Sequence, residues 1–307
     1  MKNLDKMKSL LESGEVDALL LTSEVNRHYA ARYNIAEGVA LVCRNNAYYF
    51  TDSRYIEAAE KNLPDFTVRM VDREHPYTKL LNEAIEAETV KTLGFEENYL
   101  TYNEYTSYNT KLNVVLKPYQ EKISAFRGSK EDWELELMRK AQEITDLTFS
   151  QMCEIVKPGM TEKQVAEYID NEYKKAGCES VAFTTIVSFG ANAADPHHEP
   201  DDTVLEKGEC VLIDMGCCKN RYCSDMTRTF FCGEPKPEYA AIHDLVRQAN
   251  EAAEAMIHPG VRLCDIDAAA RDLITKAGYG EYFNHRLGHF IGQTDHEKGD
   301  VSAANTD

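Results

Sequence analysis

The chain has 307 residues, which exceeds one average domain, and its 43% of apolar residues suffices for a sizeable core, so we expect two domains. Its 34 basic and 52 acidic side chains give a formal net charge of −18, which argues against nucleic acid or an anionic membrane surface as a partner. No stretch has the apolar core of a signal peptide or the roughly 18 apolar residues of a membrane helix, so we expect a cytoplasmic protein without membrane association.

Residues 1–125 alternate between helical and strand patterns, which predicts a small α/β domain. Helices are expected at Leu4–Leu11, Ser53–Lys61 and Tyr77–Glu88. Strands are expected at Asp17–Thr22, Val39–Arg44, Ala47–Asp52, Thr67–Val71 and Val90–Phe95. The dipeptide Asn45-Asn46 predicts a hairpin turn between two of these strands. The segment Tyr119–Ser129 lacks a clean period and is the predicted linker.

A second domain, residues 129–307, is expected to begin with a long amphipathic helix. Ser129 is its predicted N-cap, and Pro158-Gly159 ends it. Thr161 with Gln164 predicts the capping box of the next helix. Strands are then expected at Phe183–Phe189, Glu209–Cys217 and Met226–Cys232.

The helical part of this domain recurs at an offset of 101 residues. Matching pairs include Val156 and Ile257, Pro158 and Pro259, Gly159 and Gly260, Val165 and Ile266, and Gly177 and Gly278. A helix, a Pro-Gly stop, a second helix and an Ala-Gly stop therefore occur twice, which favours a duplicated α+β unit over chance. In the second copy, a strand-like pattern is expected only at Tyr282–Ile291.

Two carboxylates stand out on the predicted strands. Asp214 ends an apolar strand, and Asp225 follows 11 residues later. A carboxylate at the end of a buried strand is costly unless it is paired or binds a metal ion. If the two strands pair, both carboxylates can share one cation. The alternative is that Asp214 is a cap and Asp225 an ion-pair partner of Arg228, and the spacing alone does not decide between them.

Five of the nine histidines occupy two short segments: His197, His198, His285, His289 and His296. A single histidine would more often belong to a core than to a site. Clustered histidines together with two strand-borne aspartates favour hydrolytic metal chemistry.

The nine cysteines are an odd number without a C-x-x-C pair, and we expect reduced thiols. Four of them lie close together: Cys210, Cys217, Cys218 and Cys223. Their spacing fits no zinc-finger pattern, so buried structural thiols are the preferred interpretation over a zinc site.

Three motifs carry a family resemblance: Leu212–Gly216, Ser224–Thr229 and His285–His289. Their order resembles that of the pita-bread peptidases, which include Xaa-Pro aminopeptidases, prolidases, methionine aminopeptidases and creatinases. Tyr49–Tyr55 is similar to the creatinase-type N-terminal domain. The resemblance implies an α/β (α+β) fold, with a creatinase-like domain at 1–125 and a pseudo-twofold catalytic domain that lacks its last strands.

The same resemblance implies roles for six residues. Asp214 would bind one divalent ion, Asp225 would bridge two, and His289 would bind the other. Three further histidines would line the substrate pocket and assist proton transfer: His197, His285 and His296. The implied metal is manganese first, with cobalt, iron and zinc as alternatives, since mixed carboxylate and imidazole ligation selects none of them.

The implied activity is hydrolysis of Xaa-Pro bonds in short peptides with proline at the second position, by a metal-activated water in a homodimeric enzyme. The family completes its metal site with two glutamates on later strands, whose counterparts would lie beyond Asp307. The resemblance therefore implies that this chain binds metal weakly and hydrolyses slowly or not at all.

The sequence is compatible with other functions of this fold. Methionine aminopeptidases usually lack the N-terminal domain, which disfavours that branch. A metal-free creatinase-like amidinohydrolase would not need both Asp214 and Asp225. A non-catalytic peptide-binding module is the remaining alternative. The sequence does not decide between aminopeptidase and dipeptidase.

Overall fold

The computed structural model describes residues 2–307 and divides the chain into two compact units, Met1–Phe126 and Arg127–Asp307. The division falls inside the predicted linker. That segment is not irregular, because a helix at Gln120–Arg127 occupies most of it. Tyr119 and Ile123 are buried there in the core of the first unit, and this packing explains a helix that the sequence period did not reveal.

The first unit is built on one mixed six-stranded sheet. Its strands β1 to β6 are Ala18–Leu21, Val39–Cys43, Ala47–Thr51, Thr67–Met70, Thr92–Phe95 and Val115–Pro118. The strand order is β4-β3-β2-β1-β5-β6. The predicted hairpin is confirmed, since β2 and β3 pair antiparallel and the Cys43 amide bonds to the Asn46 carbonyl. Every residue of β1 and β2 is buried, as expected for the centre of a sheet covered on both faces.

Helices cover this sheet. Helices α1 to α6 are Asn3–Ser9, Glu24–Ala31, Ile56–Asn62, Tyr77–Ala87, Tyr102–Lys111 and Gln120–Arg127, and a 3₁₀ helix is Leu10–Ser13. The sequence predicted α1, α3 and α4 but missed α2, α5 and β6. Both missed helices carry N-caps, at Ser23 and Thr101. Their polar composition hid them from a search for apolar periodicity.

The second unit contains two helix pairs. Helices α7 to α10 are Asp132–Ile155, Glu162–Lys175, Pro237–Ala255 and Leu263–Lys276. The repeated helix pair is therefore confirmed, as is the capping box of Thr161 and Gln164. The predicted N-cap Ser129 is wrong, because α7 begins later and its capping box is formed by Glu131 and Glu134.

The strands of the second unit form three small sheets. Strands β7 to β14 are Ser180–Val181, Ile186–Phe189, Cys210–Met215, Cys217–Lys219, Tyr222–Cys223, Met226–Phe231, Gly288–Phe290 and Glu297–Val301, and 3₁₀ helices are Gly190–Ala194 and Gly280–Tyr282. The sheet orders are β12-β9-β8, β11-β10-β7 and β13-β14. The sequence missed the short β10–β11 hairpin and β14, which lies in polar sequence.

The closely spaced cysteines lie on β9, β10 and β11, and each is a free thiol. Cys217 and Cys223 are buried, whereas Cys210 and Cys218 are partly exposed. Within residues 2–307, none of the helices is both long enough and apolar enough to cross a membrane.

Candidate active site

Two antiparallel strands bring the predicted carboxylates together. Asp214 lies on β9 opposite Thr227 of β12, and Asp225 directly precedes β12. The Thr227 hydroxyl donates to Asp214 Oδ1 at 2.8 Å. Gly216, directly after β9, lets the backbone at Ser224 approach closely, because a Cβ at position 216 would lie 2.2 Å from the Ser224 carbonyl oxygen.

His289 on β13 completes a group of three candidate ligands. Its Nε2 lies 3.1 Å from Asp225 Oδ2, and its Nδ1 lies 3.2 Å from the Phe290 carbonyl oxygen. A carbonyl can only accept, so Nδ1 carries the hydrogen of this bond. In the neutral ring, the Nε2 lone pair then faces a carboxylate oxygen, and only a shared cation makes that arrangement favourable. The donor set therefore fits a divalent metal ion as well as it fits a proton.

The structure pairs Asp225 with His289 and not with Arg228. Arg228 instead donates to the Thr227 carbonyl oxygen at 2.9 Å. The interpretation of Asp225 as an ion-pair partner of Arg228 is thus not what the structure shows.

A cavity of about 330 Å³ joins these groups to the other histidine segment. The titratable residues that line it are His197, His198, Glu199, Asp214, Asp225, His289, Asp295 and His296. The rings of His289 and His296 lie 4.1 Å apart between centroids. His296 Nδ1 also lies 3.3 Å from Asp295 Oδ2. The structure therefore gathers five of the six predicted site residues in one place.

His285 is the predicted site residue that the structure places elsewhere. It lines a separate, largely apolar cavity of about 590 Å³. Its ring packs edge-on against Phe283, with 5.0 Å between centroids, and its Nδ1 donates to the Arg286 carbonyl at 2.7 Å. Arg271 holds the His285 carbonyl from the other side at 2.8 Å. These contacts correct the expectation that His285 lines the pocket containing Asp214.

Burial raises the pKa of both aspartates above their ordinary value. For Asp214, desolvation outweighs the Thr227 hydrogen bond. For Asp225, desolvation is reinforced by repulsion from Asp214 and is opposed by His289. Two partly desolvated carboxylates facing one cavity are a candidate functional site, because a bound cation would remove the cost of their charge.

These raised pKa values predict an unusual pH dependence of stability in the presence of a chelator. The pair contributes most favourably below the ordinary pKa of 3.8, and that contribution is lost as pH rises through the raised values. The free energy of unfolding of the Asp225→Asn variant should decrease less as pH rises, because one of the two repelling charges is gone. Urea unfolding between about pH 4 and 8 measures it, and identical curves for the two proteins would contradict the assignment.

A second group of ligand-type atoms lies at the start of α8. Glu162, His198 and Asp201 each place one such atom within 4.8 Å of the others. Glu162 was not predicted as a site residue, because an acidic residue in the first turn of a helix is common. Thr227 and Arg271 were also missed, because the sequence alone does not show that Thr227 lies opposite Asp214 or that Arg271 bonds to the carbonyl oxygens of Phe283 and His285.

Two family models match the chain. A model described as metallopeptidase family M24 matches residues 136–307, and one described as the creatinase/prolidase N-terminal domain matches residues 3–128. Together they cover both units, and the predicted creatinase-type domain followed by a catalytic domain is confirmed.

Individual relatives agree with the family models. The uncharacterized peptidase YqhT of Bacillus subtilis is 31% identical over 300 residues, which is 97% of this chain and 84% of that protein. The structure of an Xaa-Pro dipeptidase from Bacillus anthracis matches with a TM-score of 0.94 and 30% identity, over 100% of this chain and 86% of that one. An X-Pro aminopeptidase from Thermotoga maritima matches with a TM-score of 0.88 and 30% identity, over 95% and 84%.

Proposed function

The chain belongs to metallopeptidase family M24, and we propose that it hydrolyses the bond before proline in short peptides. The observation that carries the proposal is the 3.1 Å approach of His289 Nε2 to Asp225 Oδ2 in a cavity that Asp214 also lines. The names of the two structural relatives, an Xaa-Pro dipeptidase and an X-Pro aminopeptidase, support the choice of bond.

Asp214, Asp225 and His289 are the side chains that would hold divalent metal ions, and Asp225 would be shared if two ions bind. Carboxylate and imidazole donors suit manganese, cobalt, iron and zinc, and manganese is the first ion to test. Bound there, the two ions would supply a water of lowered pKa and would polarise the scissile carbonyl.

Other groups of the protein orient these ligands and would bind the substrate. The Thr227 hydroxyl holds Asp214, and the Phe290 carbonyl sets the tautomer of His289. His197 and His296 line the same cavity, where they would bind the peptide and move protons. Asp295 orients the His296 ring through its 3.3 Å contact with Nδ1.

The preference for proline follows from the chemistry of the bond. An Xaa-Pro amide has no N–H, so a site that accepts it must recognise the peptide without that donor. A pocket shaped for the pyrrolidine ring would provide the recognition. A homodimer and a cytoplasmic location remain predictions that accompany this proposal.

The proposal is tested with matched peptides in Mn²⁺ and in EDTA. Whatever the absolute rate, we expect Xaa-Pro substrates to be cleaved at least about tenfold faster than Xaa-Ala substrates, and only with metal. Comparing an Xaa-Pro dipeptide with an Xaa-Pro-Yaa tripeptide separates dipeptidase from aminopeptidase activity. Cleavage that is indifferent to proline or to EDTA would overturn the proposal. Metal-independent turnover of creatine would favour the amidinohydrolase, and peptide binding without turnover would favour the binding module.

A further inference from the structure

The Glu162 carboxylate is fully buried and accepts four hydrogen bonds. Glu162 is the first residue of α8 and has no exposed surface. Its Oε1 accepts from the Phe189 amide at 2.7 Å and from Asn192 Nδ2 at 3.0 Å. Its Oε2 accepts from His198 Nε2 at 2.7 Å and from the Asp201 amide at 3.0 Å. One buried carboxylate therefore holds four donors.

All four donors come from one stretch of chain, residues 189–201. This stretch leaves β8 and returns toward β9, and its middle carries Pro196, His197, His198 and Glu199 on the wall of the 330 Å³ cavity. His197 itself is exposed, so burial does little to hold it in place. The direct bonds to a buried charge are the strong constraint on this stretch.

The hydrogen bonds account for the compact group of Glu162, His198 and Asp201 without a metal ion. A carboxylate has about four lone-pair positions, and the four donors use them. Asp201 Oδ1 also accepts from the Thr203 amide at 2.7 Å. A cation at Glu162 would have to displace a bond that holds the loop.

We propose that Glu162 is a positioning residue for the candidate active site. Its carboxylate fixes the 189–201 loop, with the His198 hydrogen on Nε2, so that His197 faces the cavity shared with Asp214 and Asp225. Its place in the first turn of α8 stabilises the negative charge further, because the helix N-terminus is positive. The role in catalysis rests on the proposed function, whereas the role in fixing the loop does not.

The test compares Glu162→Gln with the matched control Glu167→Gln, an exposed position on the same helix. Glutamine keeps the shape but loses the charge and one acceptor oxygen. We expect amide hydrogen exchange at Phe189 and Asp201 to accelerate by about tenfold or more in Glu162→Gln only, as expected when bonds to a charged acceptor are lost. Histidine ¹⁵N spectra should also show that the His198 ring loses its fixed Nε2–H tautomer.

Activity gives a second and separable readout. In Glu162→Gln we expect kcat for an Xaa-Pro peptide to fall by about 10- to 100-fold, because small misplacement of a catalytic group is costly. Mn²⁺ affinity should stay unchanged, because Asp214, Asp225 and His289 are untouched. If Glu162→Gln does not fold, Glu162→Asp, which keeps the charge but retracts it by one methylene, should show the same changes in exchange and tautomer.

Wild-type exchange rates and an unchanged His198 tautomer in these variants would overturn the proposal. Loss of Mn²⁺ binding in Glu162→Gln would also overturn it and would favour a metal at the Glu162 group. If the wild-type protein cleaves no Xaa-Pro peptide, the proposed function fails, but exchange and tautomer still decide whether Glu162 positions the loop.

Discussion

Replacing His289 with alanine should lower the hydrolysis of Xaa-Pro peptides in Mn²⁺ by more than about 100-fold. Losing an outer partner of a metal ligand typically costs about 10- to 100-fold, so losing a ligand should cost more. His289 is also the group that contacts Asp225, and its removal takes away the larger of the two histidine contributions that oppose the repulsion from Asp214. The measurement is kcat/KM with a short Xaa-Pro substrate.

The matched control is His258→Ala. His258 is exposed in the turn between α9 and α10, and its Nδ1 contacts the neighbouring Pro259 carbonyl. It should change kcat/KM by less than about twofold, as expected for a surface substitution away from the site. Equal effects of the two substitutions would remove His289 from the site.

Replacing Arg271 with alanine should destabilise the second unit by about 3–5 kcal/mol, the usual cost of removing one partner of a buried ion pair. Arg271 makes two bonds to the fully buried Asp267, at 2.7 and 2.8 Å. It also donates to the carbonyl oxygens of Phe283 and His285, so it ties α10 to the segment that leads into β13. Urea unfolding measures the loss.

The control for this prediction is Arg247→Ala. Arg247 bonds to Asp244 and Glu251, but all three side chains are about half exposed. Its removal should cost less than about 1 kcal/mol. A loss of under 1 kcal/mol in Arg271→Ala as well would mean that Asp267 finds another partner when the guanidinium is gone.

Regular elements with apolar periodicity were predictable from the sequence. β1, β2 and α4 were found because their apolar residues follow a period of 2 or 3.6 or form a continuous run. The helix Tyr102–Lys111 was missed because it carries tyrosine and polar residues around most of its surface, although its Thr101 and Glu104 capping box was a usable signal. The repeat was recognisable because Pro-Gly and Ala-Gly stops mark helix ends in both copies.

The candidate site was predictable where chemistry lies in short motifs. Asp214 was identified at the end of an apolar strand, Asp225 by its place 11 residues later, and His289 within a cluster of histidines, and the family resemblance implied their roles as ligands. The separation of His285 from them was not predictable. It depends on Arg271 and Phe283, which hold His285 through backbone and ring contacts. Neighbours in sequence can therefore face different cavities when one lies on a short strand and the other in the loop before it.

The role of Glu162 was hidden for a related reason. In the sequence it is an acidic residue after the N-cap Thr161, a position that the helix dipole alone explains. Its four donors come from a loop that begins 27 residues later, and only the folded chain brings them to its carboxylate.

If Asp214, Asp225 and His289 form the metal centre, Mn²⁺ binding followed by electron paramagnetic resonance should depend on them. Wild-type protein, Asp225→Asn and Asp201→Asn are titrated side by side. We expect the Mn²⁺ affinity of Asp225→Asn to be more than about 100-fold weaker than that of the wild type, whereas Asp201→Asn should bind like the wild type. Binding that survives in Asp225→Asn and disappears in Asp201→Asn would instead place the metal at the Glu162 group.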